Sequence, residues 1–190
     1  MNALIQSLTY LRIIAGPIIF MLITFFDFYG IALILFVIAG LSDYLDGFLA
    51  RKYNLVSVIG SVLDPIADKI LITFVIIGLA LTMESSFVAF VGALILAREF
   101  WVGALRDLNA RSGNTSATDV TFLAKIKTTI QLCALAGFLL GLYTGNVMVL
   151  FLSNFMLVLA LIITIQTGLS YTIASLIKLS LIHISEPTRP

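Results

Sequence analysis

Apolar residues fill six long stretches of the chain, and short polar breaks separate them. The stretches cover roughly residues 5–26, 30–51, 57–82, 86–108, 121–143 and 147–177. A membrane-spanning helix needs about 20 mostly apolar residues, and every stretch has about that length. The breaks carry turn-forming residues, as in "FDFYG", "RKYN", "MESS" and "YTGN". The pattern predicts an all-α integral membrane protein with six transmembrane helices.

The composition supports placement in a lipid bilayer. Hydrophobic residues make up 61% of the chain and charged residues 11%, whereas soluble domains are usually about 45–50% apolar and about 25% charged. The formal net charge of +1 and the absence of a dense basic run argue against a nucleic-acid partner. Cys133 is the only cysteine, so the chain has no internal disulfide. Its apolar helical surroundings favour a buried, inert thiol.

Basic residues orient the predicted helices in the membrane. The one long polar connection, "RDLNARSGNTSATD", joins helices four and five, and basic residues flank it. The three connections at the opposite ends of the helices contain no Lys or Arg. Because short cytoplasmic connections carry an excess of basic residues, both termini and the long connection are predicted to be cytoplasmic.

The last residues differ in texture from the rest. Residues 1–178 form one predicted six-helix transmembrane domain, whereas residues 179–190 form a polar segment interrupted by proline. This contrast suggests an extension that is not native to the protein. His183, the only histidine, lies in it, so no histidine is expected in the functional site.

Four aspartates lie where helix two ends and helix three begins: Asp43, Asp46, Asp64 and Asp68. At 3.6 residues per turn, the two aspartates of each helix share a face, so all four can converge. A charged residue in a membrane helix costs about 2.5–3.5 kcal/mol, and clustered carboxylates repel one another. Divalent cations remove both penalties, and an all-oxygen ligand set favours Mg²⁺, Mn²⁺ or Ca²⁺.

The residues around these aspartates indicate a phosphate ligand. Gly47 and Gly60 leave room for a close approach to the backbone, and Arg51 places a cation one turn beyond Gly47. Carboxylates, divalent metals and an arginine at a membrane surface together suit a diphosphate, whose oxygens the metals can bridge. A simpler arrangement stays open, in which Lys52 and Lys69 pair with aspartates and the glycines serve helix packing.

The same stretch resembles the signature of the CDP-alcohol phosphotransferases, membrane enzymes of phospholipid synthesis. The pattern D-x2-D-G-x2-A-R-x8-G-x3-D-x3-D is matched without a departure from Asp43 to Asp68, with Ala50 at its alanine position. The resemblance implies two metal ions, Mg²⁺ or Mn²⁺, held by the four aspartates, with Asp68 as the base that deprotonates the acceptor alcohol. It also implies that the CDP-diacylglycerol donor binds through the following residues: Asp46, Gly47, Ala50, Arg51 and Gly60.

A second basic cluster suggests an acceptor that carries a phosphate. Four cations return to the cytoplasmic side from helices four and five: Arg98, Arg106, Lys125 and Lys127. Arg98 lies inside a span and needs an anionic partner. Glu99 points about 100° away on the helix and is expected to be a poor one. Snorkelling toward lipid headgroups is the simpler explanation for such residues.

Outer motifs resemble those family members that use glycerol 3-phosphate as acceptor. These are "AREF…LR", "KIKT" and "LTYLRII" with Pro17. The resemblance implies a homodimer in the bacterial cytoplasmic membrane, with the active site on the cytoplasmic side. Related enzymes that use inositol phosphate, serine or phosphatidylglycerol remain alternatives, as does a cation transporter whose acidic cluster is a transit site.

Overall fold

Six α-helices make up the regular structure of the described chain. The computed structural model describes the backbone of residues 2–53, 58–111 and 122–185. Side chains are described for 7–42, 63–111, 122–123 and 125–177. The helices are α1 (Asn2–Thr24), α2 (Tyr29–Tyr53), α3 (Val58–Thr82), α4 (Ser86–Arg111), α5 (Phe122–Thr144) and α6 (Val147–Ser185). The predicted all-α architecture is therefore confirmed.

The observed helix ends follow the predicted ones closely except at the end of the chain. The described breaks at residues 25–28, 83–85 and 145–146 occur where turn-forming residues predicted them, whereas the first three residues of "RKYN" belong to α2. The predicted end of the last helix near residue 177 is wrong, because α6 continues to Ser185. The change in composition at residue 179 thus does not mark the end of a helix, because the backbone hydrogen bonds of a helix do not require an apolar sequence. Whether residues 179–190 are native stays a prediction.

Specific side chains begin two of the helices. Ser85 precedes α4, and its hydroxyl accepts a hydrogen bond from the backbone N–H of Val88 at 3.2 Å. Asn146 precedes α6, and its side-chain oxygen accepts from the N–H groups of Met148 and Val149 at 2.9 and 3.4 Å. These caps satisfy N–H groups that have no partner inside the helix. They explain why a two- or three-residue connection is enough at each place.

The outer surface is apolar. Five helices are long and apolar enough to cross a membrane, namely all except α2, whose described side chains form the shorter apolar segment Tyr29–Ser42. Large hydrophobic side chains are exposed along them, with Phe90 at 65% and Phe151 at 69%. Cys133 is exposed as well, so the expectation of a buried thiol is wrong. In a span, exposure to lipid satisfies an apolar side chain as well as burial does.

Each of the six helices packs against at least two others. α1 packs against α3 and α2, α5 packs against α6 and α2, and α4 packs against α6 and α3. Buried residues of α1, α2, α3, α4, α5 and α6 form a continuous core. The cavity described next lies between α2, α3, α4 and α5.

Candidate active site

Asp64 and Asp68 lie one turn apart on α3 and line the same cavity. Their side chains are 38% and 42% exposed, which is unusual for residues surrounded by apolar helices. The predicted shared face of these two aspartates is therefore present. The cavity has a volume of about 330 Å³, at the lower end of the range typical for small-molecule sites.

Two buried residues of α1 donate hydrogen bonds to these aspartates. The hydroxyl of Thr9 donates to Oδ1 of Asp64 at 2.7 Å. The guanidinium of Arg12 donates to the same oxygen at 3.1 Å and also to Oδ1 of Asp68. Arg12 is completely buried and Thr9 is 2% exposed. Two buried side chains of α1 thus orient both carboxylates.

In the sequence, the resemblance of "LTYLRII" pointed to Thr9 and Arg12 but gave neither of them a partner, although a further signal was present. Arg12 lies inside an apolar span, and a charged residue there usually meets an opposite charge or a polar cavity. The alternative in which Lys69 pairs with an aspartate is not what the described side chains show. The ammonium of Lys69 instead lies 5.5 Å from the ring centroid of Phe100, and among the described residues Arg12 makes the ion pairs with Asp64 and Asp68.

The remaining donor-site residues lie outside the described side chains. Five of them belong to the C-terminal half of α2 and one to the first turn of α3. They are Asp43, Asp46, Gly47, Ala50, Arg51 and Gly60. Their predicted convergence on Asp64 and Asp68 stays a prediction.

Basic residues line the same cavity as the aspartates. Arg106 of α4, Lys127 of α5 and Lys69 of α3 contribute to its lining. Lys127 is only 5% exposed, and its ammonium donates to Oε1 of Glu99, which also lines the cavity. Carboxylates and cations therefore share one small space, an arrangement suited to a ligand that carries phosphate.

Glu99 joins two helices through its carboxylate. Besides accepting from Lys127, its Oε1 lies 3.3 Å from Nη1 of Arg98. The expectation that Glu99 is a poor partner for Arg98 is therefore wrong. The angle of about 100° between neighbouring helix positions describes Cβ directions, whereas two long side chains can bend toward each other beyond Cβ.

Arg98 is held against α6 and does not contribute to the described cavity lining. Its Nε donates to the carbonyl oxygen of Thr164 at 2.9 Å, and its Nη2 donates to the hydroxyl of Thr167 at 2.6 Å. Gly168 makes room for it, because a Cβ there would lie 3.1 Å from Cγ of Arg98. Of the four predicted acceptor cations, Arg106 and Lys127 therefore line the cavity, whereas Arg98 and the exposed Lys125 do not.

Tyr171 connects the two arginines of α4. Its ring centroid lies 5.8 Å from the guanidinium carbon of Arg98 and 5.7 Å from that of Arg106. Cations within about 6 Å of an aromatic ring are attracted by its quadrupole. α6 therefore positions Arg106 at the cavity through an aromatic contact while it holds Arg98 through hydrogen bonds.

The donor set at Asp64 and Asp68 fits a hard divalent cation. Carboxylate oxygens are the ligands that Mg²⁺ and Mn²⁺ prefer, and among Arg12, Asp64 and Asp68 one positive charge stands against two negative ones. Within the described side chains, no cluster of three potential metal-ligating residues occurs. Asp43 and Asp46 are the residues expected to complete the ligand set.

The chain is similar in sequence to one family of known proteins. The model of the CDP-alcohol phosphatidyltransferase family matches residues 3–166. A protein of Rickettsia bellii (strain RML369-C) named CDP-diacylglycerol–glycerol-3-phosphate 3-phosphatidyltransferase is 42% identical over 169 residues, which cover 86% of this chain and 90% of that protein. Proteins of the same name from Salmonella choleraesuis (strain SC-B67) and Shigella flexneri serotype 5b (strain 8401) are 32% and 33% identical, over 88% of this chain and 92% of theirs.

Proposed function

The chain belongs to the CDP-alcohol phosphatidyltransferase family, and from this premise we propose that it transfers the phosphatidyl group of CDP-diacylglycerol to glycerol 3-phosphate. The products are phosphatidylglycerophosphate and CMP, and the reaction is a step of phospholipid synthesis. The names of the relatives support both substrates. The observation that carries the proposal is the cavity that Asp64 and Asp68 line together with Arg106 and Lys127.

Two sets of residues correspond to the two substrates. We place the cytidine diphosphate group of the donor against the residues of the α2–α3 signature. We assign Arg106 and Lys127 to the phosphate of the acceptor. The planar guanidinium group of arginine can donate to two phosphate oxygens at once, and lysine acts as a compact point charge. A phosphorylated acceptor explains why cations line a cavity inside an apolar bundle.

Asp68 acts as the general base in the proposed reaction. Its carboxylate takes the proton from the primary hydroxyl of glycerol 3-phosphate, and that oxygen attacks the β-phosphorus of the donor. The bond between this phosphorus and the bridging oxygen breaks, and CMP leaves. Thr9 and Arg12 hold Asp64 and Asp68 in position from behind. A divalent cation bound by the aspartates would neutralise charge on the diphosphate and on the leaving group.

The distribution of charged residues supports a metal site and an orientation in the membrane. We place Mg²⁺ or Mn²⁺, two ions, at Asp43, Asp46, Asp64 and Asp68. The protein is multi-pass in the cytoplasmic (inner) membrane of a bacterium, and its active site faces the cytoplasm. The basic residues at that end of the helices support this orientation. We also expect a homodimer, by analogy with the family.

An assay with a panel of acceptors tests the proposed function. The purified protein is incubated with CDP-diacylglycerol, Mn²⁺ and one of glycerol 3-phosphate, inositol phosphate, serine or phosphatidylglycerol. We expect phosphatidylglycerophosphate and CMP in equal amounts with glycerol 3-phosphate, and little product with the other acceptors. A different preferred acceptor would assign another activity of the family. Cation uptake into proteoliposomes without CDP-diacylglycerol would instead support a transporter.

Arg106 and Arg98 should differ in their effects on the acceptor. A hydrogen bond to a charged group contributes about 1.5–3 kcal/mol, so Arg106→Gln should raise the KM for glycerol 3-phosphate by about 10–150-fold. The KM for CDP-diacylglycerol should change little. Arg98→Gln should change the KM values of both substrates alike and lower the thermal midpoint of unfolding, because Arg98 joins α4 to α6.

The matched control for these variants is Arg111→Gln. Arg111 lies near the end of α4 as well, is 80% exposed in its side chain and pairs only with Asp107 in the described chain. It should leave both KM values unchanged. Suppose that Arg98→Gln raises only the KM for glycerol 3-phosphate and that Arg106→Gln does not raise it. The phosphate of the acceptor would then bind at the contact between α4 and α6, and not in the cavity.

A further inference from the structure

Gln131 of α5 is a buried polar residue for which the proposed mechanism has no use. It is 1% exposed and contributes to the wall of the same cavity as Asp64, Asp68 and Lys127. Its amide nitrogen Nε2 is buried and makes no hydrogen bond with any group in the described part of the chain. Buried side-chain donors in proteins are nearly always hydrogen-bonded. A donor of this kind in a cavity wall indicates that a group of a ligand accepts its hydrogen bond.

The place of Gln131 on α5 limits which ligand group it can meet. It follows Lys127 by four residues, hence lies on the same face about 6 Å farther along the axis. Because α5 begins at the long polar connection, Gln131 lies deeper in the bundle than Lys127. The phosphate of the acceptor belongs with Lys127 and Arg106, so the part of the acceptor that extends inward from the phosphate reaches Gln131.

We propose that Gln131 binds the middle hydroxyl of the acceptor and thereby determines specificity for a three-carbon polyol phosphate. The inference rests on the proposed function. Three groups of the acceptor then each have their own partners: the phosphate meets Arg106 and Lys127, the terminal hydroxyl meets Asp68, and the middle hydroxyl accepts from the amide of Gln131. A neutral amide suits this task because it recognises a hydroxyl without adding charge beside the aspartates.

Three attachment points around the middle carbon also make the site chiral. In the mirror-image glycerol phosphate, the phosphate and the terminal hydroxyl can occupy their places only if the middle hydroxyl points away from Gln131. Gln131 should therefore distinguish the two enantiomers. A site that hydrogen-bonds a substrate hydroxyl rejects an analogue without that bond, because a buried polar group is then left without a partner.

The test compares glycerol 3-phosphate with 3-hydroxypropyl phosphate, which has the phosphate and the terminal hydroxyl but no middle hydroxyl. We expect kcat/KM of the unmodified protein to favour glycerol 3-phosphate by at least about tenfold. In Gln131→Met and Gln131→Leu the two acceptors should differ by less than about threefold, because only the glycerol 3-phosphate reaction loses a contact. The preference between enantiomers should decrease in the same variants.

The control is Gln166→Met, which removes the same amide from an exposed position on α6 and should keep both preferences. Equal losses with both acceptors in the Gln131 variants, or an unchanged preference, would overturn the inference and leave Gln131 as a packing residue or a water ligand. Methionine has nearly the length and flexibility of glutamine, so it provides a variant if leucine fails to fold. Failure of the unmodified protein to use glycerol 3-phosphate would refute the proposed function instead.

Discussion

The Asp68→Asn protein is expected to bind CDP-diacylglycerol but to turn it over about 10²–10⁴ times more slowly than the unmodified chain. Asparagine keeps the shape of aspartate and one ligand oxygen, but it cannot accept the proton of the acceptor hydroxyl. Asp68 lines the cavity with its carboxylate held by Arg12, which places the base beside the space available to the acceptor. Release of labelled CMP measures turnover, and retention of labelled donor by the solubilised protein measures binding.

Asp107→Asn is the matched control for this experiment. Asp107 is an aspartate of α4 whose side chain is 63% exposed and pairs with Arg111, so its loss should leave turnover intact. The elution profile in detergent checks that the loss of the contact with Arg12 has not unfolded the Asp68 variant. Turnover within about tenfold of the unmodified protein would remove Asp68 from the role of general base, given the usual contribution of that role.

Removal of divalent cations should abolish activity, and Mg²⁺ or Mn²⁺ should restore it. Asp64→Ala and Asp43→Ala should be inactive at every metal concentration, because a missing carboxylate removes a ligand of the ion. Binding of a ligand to the folded state alone stabilises that state. Mn²⁺ should therefore raise the thermal midpoint of the unmodified protein and of Asp107→Ala, and raise it less in Asp64→Ala.

The metal experiment separates ligand loss from loss of the α1 contacts. Thr9→Val removes the hydrogen bond to Asp64 but no carboxylate, so it should keep the response of the midpoint to Mn²⁺. Full activity in excess chelator would contradict the metal-dependent mechanism. An unchanged response to Mn²⁺ in Asp64→Ala would show that this aspartate is not a ligand and that its contacts with Thr9 and Arg12 are structural.

Local sequence was sufficient to predict the helices. Their positions depend on runs of apolar residues and on turn-forming breaks, and both are properties of neighbouring residues. Asp64 and Asp68 could be placed on one face for the same reason, since residues four apart adjoin on any α-helix. The end of α6 was predicted wrongly because the helix continues through residues whose composition had suggested a different kind of segment.

Contacts between helices could not be predicted in this way. Arg12 and Asp68 are far apart in the sequence, and they meet only because α1 packs against α3 with a particular rotation about its axis. The same applies to Arg98, whose position inside a span correctly indicated a need for a polar partner. Two of its partners are a carbonyl and a hydroxyl of α6, which no spacing along α4 could indicate.

The sequence by itself determined the membrane setting, the six helices and the family signature, because apolar content, turn chemistry and helical spacing act over a few residues. The tertiary structure alone decided which polar groups share the cavity. It brought Arg106, Lys127 and Gln131 into one cavity with Asp64 and Asp68, and it turned Arg98 toward α6. The physical reason is that a side chain within an apolar bundle points to whichever neighbouring helix offers a polar partner, and helix packing selects that neighbour.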